Sequence, residues 1–391
     1  MRLGLGRNVY ALGVVSFLND LSSEMIYPLL PVFLSSVLGA NATFIGAIEG
    51  GAETVASLLK LASGWWSDRV ARRKPIVVAG YAIVTVLRPA MALARTVGDV
   101  LVIRVADRVG KGIRTSPRDE LIADSVPEAI RGRAFGFHRA ADHAGAIAGP
   151  LVAFALLEWS ALGLRDVFWL AALPSLAAFA VLVVAVRDVP RASPAPATGP
   201  DLARPLGRRF WAFLAVVLLF TLGNSSDAFL LLRASQLGVP VALAPILWAF
   251  LHVVKAASST PGGALSDRVG RRPLIAAGWL VYALVYFGFG RATTAWEAWA
   301  LFGVYGIFFG LTEGTQRALV ADLVSLDRRG AAYGWYNLAV GLGALPASLI
   351  FGAIWDAAGA PAAFSFGALL ALVAAVGITL VMPRRRAAVA P

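Results

Sequence analysis

One short pattern occurs twice in this 391-residue chain, and its two copies begin 199 residues apart. The copies read Gly64-x-x-x-Asp68-Arg69-x-x-Arg72-Arg73 and Gly263-x-x-x-Asp267-Arg268-x-x-Arg271-Arg272. Each copy ends one long apolar segment and precedes another, which predicts a short basic loop between two hydrophobic helices. A duplication that divides the chain in half indicates two like halves, an arrangement typical of membrane transporters.

The composition predicts that the chain lies in a lipid bilayer. Hydrophobic residues make up 58% of it and charged residues only 15%, which is too apolar for a soluble domain of this length. The net charge of +12 would indicate nucleic acid on a soluble fold, but here the arginines end apolar runs. We therefore expect lipid, and no nucleic acid, as a partner. The absence of cysteine excludes disulfides and thiolate metal sites.

Charged and Pro/Gly-rich breaks divide the chain into twelve predicted membrane-spanning helices of about 20 residues. The predicted spans are 9–36, 42–66, 75–93, 97–117, 132–156, 166–186, 210–235, 241–266, 273–290, 296–318, 330–354 and 361–382. The first span is too long for a signal-peptide core, so we expect it to be retained. Nearly all arginines outside the spans fall on the side of the two termini, whereas the other side has Arg95, Arg165, Arg291 and at most Arg233. This predicts cytoplasmic termini and a multi-pass protein of a bacterial or archaeal cell membrane.

The repeat extends beyond the two basic loops. Ala123-Asp124 aligns with Ala321-Asp322, and Arg131-Gly132 aligns with Arg329-Gly330, both at an offset of 198. The offset between matching residues is 199 in the basic loops and 198 beyond them. We assign this difference to one extra residue, Lys74, in the first loop. The fold is therefore predicted to be an all-α membrane protein with two pseudo-symmetric six-helix bundles. We expect the first bundle over 1–187, a Pro- and Ala-rich cytoplasmic linker over 188–209, and the second bundle with a short basic tail over 210–391.

The repeated loop resembles the signature loop of the major facilitator superfamily, and the resemblance covers the whole chain. Gly145 to Pro150 in the fifth span resembles the glycine-proline motif of its antiporter branch. The fourth span departs from that branch, because the expected arginine is Ala106; Arg104 or Arg108 could substitute, which leaves proton antiport open. The runs 19–24 and 108–119 are similar to a prokaryotic subgroup of largely uncharacterised permeases, and this similarity supplies no substrate.

The basic loops are expected to act as gates. A carboxylate at a helix end can accept hydrogen bonds from a neighbouring helix N-terminus and pair with arginines. The resemblance implies the same: Asp68 and its arginines lock the cytoplasmic side, with Asp267 as the second equivalent. The arginines alone could instead only enforce topology. The predicted gate residues are Gly64, Asp68, Arg69, Arg72, Arg73, Gly263, Asp267, Arg268, Arg271 and Arg272.

Ionisable residues within the spans are candidates for the transport pathway, because a charge facing lipid is costly. The resemblance implies that the first, fourth, seventh and tenth spans line a central cavity. The candidate proton or substrate residues are Asn19, Asp20, Glu24, Tyr27, Glu49, Glu53, Arg104, Arg108, Lys111, Arg114, Arg139, Asp142, Asn224, Asp227, Glu313 and Arg317. Any one of them could instead belong to a structural ion pair. Asp20 and Glu24 are one helical turn apart and repel, which favours protonation of one of them.

The sequence therefore predicts a monomeric secondary transporter, not an enzyme, that exports a small organic or drug-like solute in exchange for protons. Efflux of a metal ion or its complex, or proton symport of an organic anion, are the alternatives. A sensor or lipid scramblase that does not cycle is a remote one, since two gate loops have no use there. The sequence has no closed metal site and no ATP-binding loop, and we expect no cofactor.

Overall fold

The computed structural model describes residues 6–67, 70, 72–127, 130–160, 162–189, 206–325 and 328–382. These residues are helical, as predicted, and no strand occurs among them. We number twelve helices: α1 Arg7–Ile26, α2 Ala42–Ser67, α3 Lys74–Leu93, α4 Val97–Asp124, α5 Arg131–Trp159, α6 Leu164–Leu170 with Ala172–Ala185, α7 Arg208–Gly223 with Ala228–Gln236, α8 Ala244–Val269, α9 Arg271–Arg291, α10 Ala295–Asp322, α11 Arg329–Ala358 and α12 Ala360–Val381. Most of the predicted linker and the basic tail lie outside the described residues.

Nine of these helices are long and apolar enough to cross a bilayer, counted over the described residues. The other three, α1, α2 and α4, carry intramembrane charges such as Asp20, Glu49 and Arg108. Charged side chains are tolerated at membrane depth where they face the bundle interior or a water-filled cavity. The three helices that are too polar are therefore the ones expected to border a polar interior.

Several helices continue past their predicted ends, the fourth by the largest margin. The fourth ends at Asp124 and the tenth at Asp322, rather than at 117 and 318. The predicted ends are set by hydropathy, which falls where the chain leaves the hydrocarbon layer of the bilayer. The backbone hydrogen bonds of the helix continue beyond that point into water. Pro117 lies inside α4 without ending it. After α1, the helical path also continues to Val37 through a 3₁₀ turn and a π turn that flank Pro31.

The helices pack as two groups of six with the same internal pattern. In the first group α1 packs on α5, α2 on α4, and α3 on α4 and α6. In the second group α7 packs on α11, α8 on α10, and α9 on α10 and α12, which is the same set of contacts shifted by six helices. The groups meet mainly along α2 with α11 and α5 with α8. The boundaries 1–187, 188–209 and 210–391 themselves stay a prediction.

The halves approach each other most closely where glycines on α2 and α11 remove side-chain bulk. A Cβ atom on Gly46 would lie 2.2 Å from the backbone oxygen of Ser348, and one on Gly352 would lie 2.6 Å from that of Ala42. Such distances are too short for any other residue without a shift of the backbone. We call this end of the molecule the closed end, and the end that carries the loops α2–α3 and α8–α9 the basic end.

The glycines near the basic end have different surroundings. A Cβ atom on Gly136, in the first turns of α5, would meet no heavy atom of the described residues within 4 Å. The same holds for Gly314, near the basic end of α10. Close contact between the halves is therefore seen at the closed end, whereas open space surrounds these two glycines of the basic end.

We expect Gly46→Ala to lower the unfolding temperature in detergent, because its methyl group would overlap the backbone of α11. Overpacking of this kind costs about 1–3 kcal/mol. The matched control is Gly136→Ala, which adds a methyl group in open space and removes a helical glycine, so it should leave stability unchanged or raise it. Equal effects of the two variants would contradict the close approach of α2 and α11.

Candidate functional site

A cavity of about 370 Å³ lies between the halves. It is bordered by α1 to α4 of the first half and by α7, α8, α10 and α11 of the second. Of the predicted pathway residues, those that line it are Asn19, Asp20, Glu24, Tyr27, Glu49, Glu53, Arg108, Lys111, Arg114, Asn224 and Asp227. Each first-half helix that borders the cavity therefore contributes charge, whereas the second half contributes mostly hydroxyl, amide and aromatic side chains.

Two buried ion pairs form part of the first-half wall. Arg104 donates from Nε and Nη2 to the two carboxylate oxygens of Glu49, at 2.8 and 2.6 Å, and this bidentate pair links α4 to α2. Arg88 on α3 lies 3.4 Å from Asp107 on α4. All four side chains are buried. Paired charges of this kind hold helices together. Arg104 and Glu49 therefore pair with each other and not with a solute.

The pair of Arg88 and Asp107 was absent from the sequence predictions. Both residues lie within predicted spans, so the rule that an intramembrane charge needs a partner would have identified them. Tyr305 is another cavity residue that sequence reasoning missed. No sequence signal distinguishes it from the packing aromatics around it on α10.

The remaining first-half charges line the cavity without direct ion pairs among the described residues. Asp20 accepts a hydrogen bond from the amide of Asn19 at 3.0 Å. Glu53, Arg108 and Lys111 border the same space, where Lys111 interacts electrostatically with Asp20 and Glu53. The charges of these acids and bases offset one another without direct contact. Each group is therefore able to change the group with which it pairs.

The seventh predicted span is broken at the cavity. The sequence places Asn224 and Asp227 one helical turn apart, but the structure places them in the unwound stretch between Gly223 and Ala228. Asn, Ser and Asp side chains compete for backbone hydrogen bonds, and four of them follow one another here. The hydroxyl of Tyr305 donates to Asp227 Oδ1 at 2.6 Å. The break therefore presents one carboxylate to the cavity, held by α10.

One hydrogen bond across the cavity joins the halves through a titratable group. The indole Nε1 of Trp248 on α8 donates to Glu24 Oε2 on α1 at 2.7 Å. The rings of Tyr27 and Trp248 lie 5.0 Å apart beside it. His252, one turn along α8, follows with its ring 5.1 Å from that of Trp248. Glu24 thus links the charge state of the cavity to contact between the halves.

Five predicted pathway residues do not line the cavity. Arg104 lies behind Glu49, as described above. Asp142 accepts from Ser16 on α1 and lies 3.5 Å from His138 and from Arg139, so it fastens α5 to α1. Glu313 pairs with Lys255 on α8 at 3.4 Å. The five are Arg104, Arg139, Asp142, Glu313 and Arg317.

At the basic end, an arginine of each loop reaches the end of a neighbouring helix. Arg73 is 1% exposed and pairs with Glu120, at 2.6 Å, and with Asp124, both on α4. Arg271 lies 3.4 Å from Asp322 on α10. The equivalent residues are therefore Arg73 and Arg271, not Arg72 and Arg271 as aligned in the sequence. The extra residue of the first loop precedes Arg73 and is not Lys74.

The other predicted gate residues are more exposed or lie outside the described part of the chain. Arg271 also donates to Asp267, at 2.5 Å, and to Ser266, at 2.7 Å, within its own loop region. Gly64 lies in α2, whereas Asp68 and Arg69 lie outside the described residues, so the clasp expected of Asp68 stays a prediction. The remaining members of the set are Arg72, Gly263, Arg268 and Arg272.

At the closed end, one carboxylate caps a helix of the other half. Asp356, near the end of α11, accepts from the backbone N–H groups of Ala42 and Thr43, each at 2.9 Å. It also accepts from Thr43 Oγ1 at 2.6 Å. The free N–H groups at a helix start favour a negative charge, so Asp356 stabilises the start of α2 and joins the halves.

Comparison with known proteins gives a family and a fold. A model described as Major Facilitator Superfamily matches residues 12–254 and 233–391. An uncharacterised MFS-type transporter of Methanocaldococcus jannaschii is 35% identical over 375 residues, which cover 94% of this chain and 93% of that protein. An uncharacterised protein of Mycobacterium bovis is 30% identical over 382 residues, covering 96% and 91%.

Solved structures with the same fold include transporters of several kinds. The nucleoside transporter NupG matches with a TM-score of 0.81 at 14% identity, covering 95% of this chain and 98% of that one. A bacterial homologue of the human lysosomal transporter Spinster, in an inward-facing and unoccupied conformation, matches with a TM-score of 0.73 at 18% identity, covering 95% and 94%. At these identities the likeness shows the fold alone.

We expect Arg73→Gln to destabilise the protein more than Arg271→Gln. Arg73 is 1% exposed and joins two carboxylates of α4, so its loss removes a buried charge-assisted contact between helices. Arg271 and its partners are more exposed, so its loss should cost at most about 1 kcal/mol. Unfolding temperatures in the same detergent measure both; equal losses would contradict the asymmetry of the two loops.

We expect Asp356→Asn to loosen the closed end. The chain has no cysteine, so a single Ala42→Cys variant, at a position that is 4% exposed, reports opening by its rate of maleimide labelling. Asparagine keeps one acceptor oxygen, so the loss is that of the charge at the helix start, about 0.3–1 kcal/mol, which should raise the rate about two- to fivefold. Asp99→Asn is the matched control, because Asp99 caps α4 with N–H groups of its own half. Equal labelling rates in the two variants would contradict the role of Asp356 in joining the halves at the closed end.

Proposed function

This chain belongs to the major facilitator superfamily and is a membrane transporter, and on that premise we propose that it exports a small organic solute in exchange for protons. Transport takes place by alternating access between the two ends of the central cavity. Asp20, Glu24 and Asp227 are its protonation sites, and Arg108 and Lys111 contact the solute.

The hydrogen bond from Trp248 to Glu24 is the observation that carries the proposal. A charged carboxylate accepts a stronger hydrogen bond than a protonated one does. While Glu24 is ionised, the bond helps to hold the halves together. Proton uptake weakens it, so the empty, deprotonated transporter stays shut at the closed end until either a proton or the solute binds. This requirement prevents the transporter from changing conformation while neither a proton nor a solute is bound.

The cavity charges give the proton and the solute a shared site. Asp20, Glu24 and Glu53 lie with Arg108 and Lys111 around one small volume, so neither ligand can bind there without changing the charge balance felt by the other. A positive group that a bound solute places beside these acids favours release of a proton. Exchange of solute for protons follows from this competition.

The geometry of the fifth helix supports the antiport form of exchange. A Cβ atom on Gly145 would lie 2.4 Å from the backbone oxygen of Phe17, and one on Gly149 would lie 2.5 Å from that of Leu21. The motif that resembles the antiporter branch therefore packs α5 directly against the α1 segment that carries Asp20 and Glu24. Of the two arginines that could replace the one missing at Ala106, only Arg108 borders the cavity.

The two ends of the cavity supply the gates. With the termini in the cytoplasm, as the charge distribution predicts, the basic end faces the cytoplasm and the described state accepts solute from it. Asp356 and Trp248 then close the outer side. The clasp predicted for Asp68 closes the inner side in the opposite state.

Proton symport of an organic anion is the second candidate, because Arg108 and Lys111 are cavity cations without a direct ion pair among the described residues. Metal efflux receives less support. Among the described residues no group of three or more His, Asp or Glu side chains is arranged to hold a metal ion.

Proteoliposomes with an interior pH dye test the proposal. The vesicles are loaded with a mixture of amino acids, nucleosides, organic acids and amines and then diluted. If solutes leave in exchange for protons, the interior acidifies; an anion that leaves together with protons makes it alkaline instead. We expect acidification with the native protein and a loss of about tenfold or more in Glu24→Gln, which cannot ionise.

The matched control is Glu158→Gln, an exposed acid near the end of α5 that is far from the cavity, and it should behave like the native protein. An alkaline response of the native protein would replace antiport by symport. An acid response that persists in Glu24→Gln would show that the proton is bound elsewhere.

A further inference from the structure

The two cavity cations that face a solute are Arg108 and Lys111. They lie one turn apart on α4, and among the described residues no hydrogen bond or ion pair within 4 Å engages either side chain. The other cavity arginines are occupied: Arg88 pairs with Asp107, and Arg114 stacks on Tyr81 at 4.0 Å. Together the guanidinium and ammonium groups offer eight N–H donors to an anion.

The second-half wall has the opposite character. Within the described residues it lines the cavity with one carboxylate, Asp227, and with no Lys or Arg. Aromatic rings of Trp248, Tyr305 and Phe309 surround that wall. Lys255 lies behind Phe309, 4.0 Å from the centre of its ring, and is paired with Glu313. An acid beside aromatic rings is the environment that binds organic ammonium groups.

We propose that the solute is a small zwitterion, with an anionic carboxylate or phosphate group bound by Arg108 and Lys111 and a protonated amine that faces Asp227. This inference rests on the proposed transport function and names its substrate class. A solute with only a positive charge would meet the two α4 cations, and one with only a negative charge would meet Asp227. A zwitterion satisfies both walls and spans the two halves.

The same arrangement explains how such a solute excludes a proton. Asp227 can pair with an ammonium group only while it is ionised, so it holds either a proton or the amine end of the solute. The hydroxyl of Tyr305 remains its hydrogen-bond donor in both cases. The three acids on the first half continue to balance the two α4 cations when the cavity is empty.

The size of the cavity limits the solute. Its volume of about 370 Å³ is near the lower end of the 300–1,000 Å³ that is usual for ligand pockets, which suits a small solute.

Thermal unfolding of the purified full-length protein in detergent tests the substrate class without any transport. The zwitterionic probes are 4-aminobutanoate, 5-aminopentanoate, 6-aminohexanoate and phosphoethanolamine, and the matched single-charge probes are pentylamine and pentanoate. At a high concentration, at least one zwitterion should raise the unfolding temperature by about 2 °C or more, and neither single-charge probe should. A shift with phosphoethanolamine alone identifies the anionic group as a phosphate.

Variants give a crossed pattern that misfolding cannot produce. The double variant Arg108→Gln/Lys111→Gln should lose the response to zwitterions and gain one to pentylamine. Asp227→Asn should lose it and gain a response to pentanoate. Arg95→Gln, an exposed arginine at the closed end, is the control and should respond like the native protein.

The proposal is overturned if no zwitterion stabilises the native protein, or if pentylamine or pentanoate does so equally well. Because binding is measured without a proton gradient, this outcome is separate from failure of the transport proposal. Selective zwitterion binding with no pH response in vesicles would contradict proton exchange and keep the substrate class.

Discussion

The cost of placing charge inside a bilayer is the constraint on which the rest of this structure depends. Among the described residues, the buried acidic, basic and histidine side chains all belong to the first half; they are Glu49, Arg73, Arg88, Arg104, Asp107, Arg114, Arg118 and His138. The second half buries hydroxyls, an amide and a large aromatic cluster instead, in which rings such as those of Phe220 and Trp279 stack 4.7 Å apart. One bundle is therefore held by ion pairs and the other by aromatic packing.

The cavity lies on the seam between these two kinds of scaffold, and this position gives it its properties. The first-half ion pairs fix the backbone that carries Arg108 and Lys111, while the aromatic half presents a single acid at a broken helix. Few strong contacts cross the seam within the cavity itself. Glu24 makes one of these contacts, with Trp248. Protonation of Glu24 therefore changes the contact between the halves. Close glycine contacts and the Asp356 cap complete the junction.

The sequence predicted the fold well because bilayer thickness, basic loops and internal repetition are all visible in one chain. It placed Asp20, Glu24 and Asp227 on segments that line the cavity of the structure, since their spacing and the repeat single them out; their roles stay a prediction. The sequence could not show which of Arg104 and Arg108 faces the cavity, because both lie on the same face of α4. Only the position of Glu49 decides which of them is paired. The unwound α7, the pair of Arg88 with Asp107 and the cap by Asp356 depend on contacts between distant segments, which no local pattern encodes.

The central claim is that the charge on Glu24 controls contact between the halves. Distances across the closed end can be measured by pulsed electron paramagnetic resonance, with spin labels on Val37→Cys and Val241→Cys, two exposed positions in a chain without native cysteine. Acidification should shift the native protein to longer distances, and Glu24→Gln should show the longer distances at every pH. A pH response of Glu24→Gln that equals the native response would contradict the account.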